Sequence, residues 1–259
     1  MIFDTHAHYD DEAFNADREE ILSGLSSHNI GNVVNIGVDI QTCKNTLKLA
    51  EKHSFIYAAI GFHPSDTKGM PKDNIDWLYE HAKDNKVVAI GEIGLDYHWS
   101  ESEEENQSQQ EWFRAQIALA KEMELPIVVH SREAAADTMN IIREEKAAEC
   151  GGIIHCYSYS AEQARQYVDM GFYIGVGGVI TFKNARKLIE TVEAIPLTSI
   201  VLETDCPYLA PEPHRGKRND SSLLPLVATK ISEIKGVSVE EVIKTTTQSA
   251  YKVYSIKKQ

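Results

Sequence analysis

Cysteine is scarce. Cys43, Cys150, Cys156 and Cys206 are the four thiols among 259 residues, and no two stand in a CxxC spacing. Thiols scattered like this argue against a disulfide framework and fit a reducing compartment. Positive charge is also short, with 26 Lys and Arg against 39 Asp and Glu and a net charge of −13. Such an excess repels a polyanion at long range and excludes a non-specific nucleic-acid coat, so any phosphate-binding surface has to be local. No apolar run approaches the length of a membrane span, and the opening MIFDTHAHYD lacks the basic and apolar regions of a signal peptide. The expectation is a soluble, cytoplasmic protein that uses no membrane. Linkers rich in Pro, Gly and Ser are missing too. The one biased segment, WSESEEENQSQQEW, reads as an acidic loop leading into a helix, and a single domain over residues 1–259 follows.

What the chain does have is repetition of short apolar stretches. MIFDTH, GNVVNIG, FIYAAIG, KVVAIGEIG, LPIVVH, GGIIHC, FYIGVGG and SIVLET are rich in Val and Ile, as buried strands are. Segments with helical spacing, such as TCKNTLKLAEKH and ARKLIETVEAI, separate them. Continuous apolar strands alternating with helices imply a parallel sheet covered on its outer face. Eight such units at this length predict an α/β fold, a closed (β/α)8 TIM barrel, with a doubly wound open sheet as the alternative. LLPLVATKISEIKG and VEEVIKTTTQSAYKVY then supply the last barrel helix and an accessory C-terminal helix.

In such a barrel the active site forms at the C-terminal ends of the strands. His6 and His8 end the first run, His63 follows the third, Glu92 the fourth, His130 the fifth, His155 the sixth and Asp205 the eighth. In a strand, residues i and i+2 share a face, which puts His6 and His8 side by side with Asp4 on the same row. Histidine and carboxylate are the ligands of a hydrolytic divalent-metal site. The other histidines serve as a control: His28, His53 and His81 fall at helix ends, where an imidazole interacts with the last carbonyls. Six ligands exceed what one catalytic zinc takes. Two metal ions follow, with Glu92 between the groups, and two cations about 3.5–4 Å apart activate water for hydrolysis.

The motifs DTHAH, GFHP, GEIGLDYH, LPIVVHSREA, HCYS, LETDCPYLAP and RGKRN, spread from residue 3 to about residue 219, resemble the TatD family of metal-dependent deoxyribonucleases. The resemblance implies a TIM barrel of the amidohydrolase superfamily, phosphodiester hydrolysis of DNA, commonly as an exonuclease, and two divalent metals. Carried over position by position, it makes His6, His8, Glu92, His130, His155 and Asp205 metal ligands and His63 a further active-site group. Tyr159 stands where family members usually have Gly, and DSSLLP after RGKRN departs from the common pattern. Both departures bear on substrate preference.

Arg215, Lys217 and Arg218 form a short basic loop beyond Asp205 in an otherwise acidic chain. A guanidinium fork holds phosphate oxygens with two parallel hydrogen bonds, so Arg215 and Arg218 are the expected phosphate clamp. Phe62, Tyr97, Trp99, Tyr157, Tyr159 and Tyr208 stand in or beside the strand-end loops, where such rings more often cap the barrel, and at most one or two of them are expected to stack bases of single-stranded DNA or DNA ends. Cys156 and Cys206 follow ligands and, by alternation, face packing. Asp205 orients the attacking water or takes its proton, and His63 contacts the phosphate or departing oxygen. The donor set suits zinc, manganese or magnesium, and no obligate protein partner is evident. The competing reading is an ester or amide hydrolase acting on a phosphate-bearing substrate such as an aminoacyl-tRNA-like molecule; a catalytically silent barrel is a third.

Overall fold

The computed structural model describes residues 1–257, so Lys258 and Gln259, the last two residues of the expected domain, lie outside the described residues. Eight strands form one parallel sheet in chain order: β1 (Ile2–Ala7), β2 (Ile30–Ile36), β3 (Ile56–Ile60), β4 (Val87–Asp96), β5 (Ile127–Arg132), β6 (Gly152–Ile154), β7 (Tyr173–Val176) and β8 (Ile200–Leu202). Each apolar run of the sequence is one of these strands. Helices alternate with them: α1 (Arg18–Gly24), α2 (Ile40–Lys52), α3 (Asn74–His81), α4 (Glu103–Glu122), α5 (Ala135–Glu144), α6 (Ala161–Asp169), α7 (Arg186–Ala194), α8 (Leu224–Lys235) and α9 (Val239–Val253). The sheet closes where the ends of β1 and β8 meet, through a parallel bridge between Ala7 and Cys206. This is the TIM barrel rather than the open sheet, and among the described residues no helix is long and apolar enough to cross a membrane.

Two details differ from the sequence reading. The acidic segment is largely helix: Ser102 caps α4 by accepting from the Glu105 amide, and Glu103, Glu104 and Glu105 fill its first turn, where carboxylates favour the positive end of the dipole. Helix α3 ends at His81, in line with the helix-end reading of that histidine, and buries only Leu78 fully. Asp4 leaves the row of His6 and His8. The β1–β2 register slips between Asp4 and Ala7, and Asp4 turns instead toward Thr204 and Ser221.

Alternation on the strands sorts two packed layers. Val33, Ile56, Ile127 and Val129 face the helices, whereas Phe3, Val34, Val88, Val128, Ile153 and Val201 form a separate inner cluster. Helix α9 and the residue after it send Ala250, Val253 and Tyr254 into that inner cluster. The Tyr254 hydroxyl donates to the Thr5 carbonyl at 2.8 Å, directly before His6. The accessory helix therefore plugs the barrel. Replacing Tyr254 with Ala is expected to cost about 3–5 kcal/mol, as large aromatic truncations do, and Tyr254→Phe about 1 kcal/mol for the lost hydrogen bond; denaturant midpoints of the three proteins check the ranking.

Candidate metal centre

His6, His8, His63, Glu92, His130, His155 and Asp205 come together at the C-terminal mouth of the barrel. All except the fully buried His6 line a cavity of about 750 Å³. His6 Nε2 lies 3.1 Å from His8 Nε2, 3.3 Å from Glu92 Oε2 and 3.7 Å from Asp205 Oδ1. Glu92 Oε1 lies 2.8 Å from His130 Nδ1, and His155 Nε2 stands 3.8 Å from Asp205 Oδ1 and 3.9 Å from Glu92 Oε1. Donor atoms of His6, His8 and Asp205, and separately those of His63, Glu92 and His130, lie within 4.8 Å of one another. Glu92 therefore sits between two groups, one oxygen toward each.

Partners on the far sides of the rings decide which nitrogens are available. His8 Nδ1 donates to the Ile36 carbonyl at 3.0 Å, so the neutral ring turns a bare Nε2 inward, while His155 Nδ1 stands 3.2 Å from the Glu203 carboxylate as a charge contact without a hydrogen bond. His130 is reversed: its Nε2 meets Asp96 Oδ2 at 3.0 Å, leaving Nδ1 for the centre. His63 differs again. Its Nδ1 accepts from the Ser65 amide at 3.2 Å, so the ring proton is on Nε2, which stands 3.7 Å from Glu92 Oε1. His63 thus points a donor into the cavity where neutral His8 and His130 point lone pairs. Bare nitrogens and carboxylates converging on each other are repulsive unless a cation or protons lie between them, so the donor set fits divalent metal.

The electrostatics agree. Burial opposes charge on His8, but the bonded Asp205 carboxylate and nearby Glu92 and Asp10 carry its pKa up to about 9. His130, buried but bonded by Asp96 and Glu92, likewise rises to about 9, and His155 to about 10 through Glu203, Asp205 and Glu92. Burial would raise Glu92, yet the surrounding histidines hold it well below the ordinary carboxylate range; Asp205 is lowered against burial by His155 and its bond to His8. Burial lowers His63 to about 4, so it is neutral at neutral pH.

Asp96 and Glu203, which orient His130 and His155, were missed at the sequence level although each stands two residues, or a multiple of two, from a named carboxylate: Glu92 and Asp96 on β4, Glu203 and Asp205 after β8. Glu203 is buried, with Oε1 accepting the Cys156 amide at 2.7 Å, and a Cβ on Gly175 would come within 2.2 Å of its Oε2. Only glycine leaves that carboxylate room. Cys156 departs from the packing role: its φ of 45° breaks the alternation and brings it to the cavity wall, while Cys206 is buried as expected. The basic loop also behaves differently. Arg218 is bound to both oxygens of Asp17, at 2.9 and 2.6 Å, and Arg215 packs over the Phe182 ring; neither lines the cavity. Of the six aromatics, Phe62 and Tyr157 are buried, Tyr97 is tied to Asp137 and Tyr159 to Ser131, leaving Trp99 and Tyr208 exposed.

A (β/α)8 barrel with histidines and carboxylates gathered at its C-terminal mouth defines a metal-dependent hydrolase. The TatD related DNase family model matches residues 3–255, and the chain belongs to the TatD family. It is 45% identical over 256 residues to the uncharacterized metal-dependent hydrolase YabD of Bacillus subtilis, covering 99% of this chain and all of that one. It is 34% identical to YcfH of Escherichia coli K12, also named an uncharacterized metal-dependent hydrolase, over 99% of this chain and 96% of the other. The crystal structure of YjjV, a TatD homologue from E. coli K12, superposes with a TM-score of 0.92 at 28% identity, covering 99% and 98% of the two chains.

Because metal coordination needs neutral imidazoles, binding displaces the protons that His8, His130 and His155 hold below pH 9. Metal affinity is therefore expected to rise with pH through neutrality. Calorimetric titration of Mn or Zn into metal-stripped protein at pH 7, in two buffers of different ionisation enthalpy, should report net proton release.

Proposed function

We propose that this protein hydrolyses phosphodiester bonds in DNA, as an exodeoxyribonuclease acting on single strands or ends, with two divalent ions, zinc, manganese or magnesium. The observation that carries the reading is Glu92, one carboxylate oxygen 3.3 Å from His6 and the other 2.8 Å from His130, between two donor groups on the floor of an open cavity. His6, His8 and Asp205 would hold one ion, His130 and His155 the other, and Glu92 would bridge them. When bound, such a pair supplies charge neutralisation at the phosphoryl oxygens and activation of water. The description of the matching family, TatD related DNase, supports DNA as the substrate.

The chain's own groups have separate tasks in this reading. Asp205 is ionised at neutral pH and can accept the proton of the attacking water at Oδ1. His63, neutral with its proton on Nε2, donates to the phosphate or the departing oxygen, where charge develops. Asp96 keeps His130 in the required tautomer, and Glu203 balances charge on His155. Arg215 and Arg218 remain candidate phosphate contacts only if Arg218 exchanges Asp17 for substrate.

End-labelled single-stranded oligonucleotide incubated with metal-stripped protein resupplied with Mg, Mn or Zn should yield a ladder shortening from one end. Asp205→Ala and Glu92→Ala are expected to lower kcat by about 10²–10⁴-fold, with unchanged circular dichroism. His63→Ala should lose about 10²-fold in kcat. Intact oligonucleotide under every metal would turn the reading to carboxylic ester or amide substrates.

A further inference from the structure

The cavity is charged unevenly. Asp10, Asp11, Glu12 and Asp66, from the segments after β1 and β3, line it on one side, while Arg132 is the one Lys or Arg among the described lining residues. Arg132 ends β5, two residues beyond His130, so it rises on the same strand face about 6–7 Å nearer the mouth. Its guanidinium carbon lies 5.5 Å from the ring centroid of Trp99, which follows β4 and is 65% exposed. Stacking holds one face of the guanidinium and leaves its N–H edges open. Arg114, Arg186 and Arg218 are each paired with a carboxylate, whereas among the described residues no carboxylate pairs with Arg132.

An open guanidinium fork above a metal centre, opposite a wall of carboxylates, is suited to an anion that extends past the reacting atoms. Resting on the reading of this site as a DNA phosphodiesterase, we propose that Arg132, braced by Trp99, binds the phosphate next to the scissile one. The strand then leaves the centre over the ends of β4 and β5 and avoids the acidic wall. Arg132 stands two residues beyond His130 toward the mouth, so on this assignment its effect falls on substrates that carry a second phosphate. This assigns to β5 the role that the sequence assigned to the loop of Arg215 and Arg218.

The test compares two substrates under the same metal: a single-stranded oligodeoxynucleotide and bis(p-nitrophenyl) phosphate, which has a single phosphate. Arg132→Ala should lose about ten- to a hundredfold in kcat/KM on the oligonucleotide, as for a charged hydrogen bond, and less than about twofold on the small diester. The salt dependence of oligonucleotide turnover should become shallower by about 0.7 in log–log slope, the value for one single-strand phosphate contact. Asp66→Asn should not slow the oligonucleotide. Equal losses on both substrates, or none on either, overturn the assignment of Arg132 alone, and a tenfold loss in Asp66→Asn overturns the strand path. Wild-type protein that hydrolyses the small diester but leaves oligonucleotides intact overturns the DNA reading and this inference with it.

Discussion

The arrangement depends on how β1 is tied to the end of β8. The Asp205 amide donates to the His6 carbonyl and the His8 amide to the Cys206 carbonyl, both at 2.9 Å, so the closing bonds of the barrel are made by the ligand-bearing residues themselves. Beside them the buried Asp4 carboxylate accepts from the Thr204 amide at 3.0 Å, the Thr204 hydroxyl at 2.7 Å and the Ser221 hydroxyl at 2.6 Å. Loss of this seam would open the sheet and separate His6 and His8 from Asp205 in one event. Asp205 takes a positive φ of 57°, which an aspartate tolerates, and that conformation goes with an amide turned back to β1. Fold closure and site assembly are therefore the same set of hydrogen bonds.

Outer partners of different kinds, a carbonyl, carboxylates and an amide, direct the histidines. Rings on neighbouring strands would otherwise present either nitrogen, and a wrong tautomer would turn an N–H toward the centre. Ile36 and Asp96 remove that freedom for His8 and His130, and the Glu203 carboxylate draws positive charge to His155 from 3.2 Å. The Ser65 amide does the opposite for His63, so one short loop after β3 makes that residue a donor. Neither His6 nor His155 has a hydrogen-bond partner on Nδ1; the two rings stack on each other, with centroids 3.5 Å apart at an interplanar angle of 15°. Position in the barrel brings the residues together, but hydrogen bonding to their outer edges sets what each can do.

The strands were legible because parallel strands buried on both faces read as continuous Val and Ile runs, and the ligands were legible because barrel geometry makes strand ends equivalent. His6, His8, Glu92, His130, His155 and Asp205 share one mouth for that reason. What escaped depends on partners remote in sequence or on local irregularity. Arg218 looked free until Asp17, 201 residues away, was found against it. Asp4 was misplaced by a register slip that no alternation rule contains, and Cys156 by a positive φ. Arg132 was passed over because it follows a more conspicuous histidine, although it obeys the same i, i+2 rule.

The electrostatic balance of the site explains how so many acids are tolerated at the centre of an acidic chain. Glu92, Asp96, Glu203 and Asp205 all stand within hydrogen-bonding or ion-pairing distance of imidazole rings, and burying that much negative charge alone would be very costly. The carboxylates in turn favour the charged form of the rings, which raises the pKa of His8, His130 and His155 against their burial. A bound cation would supply that charge in place of the ring protons.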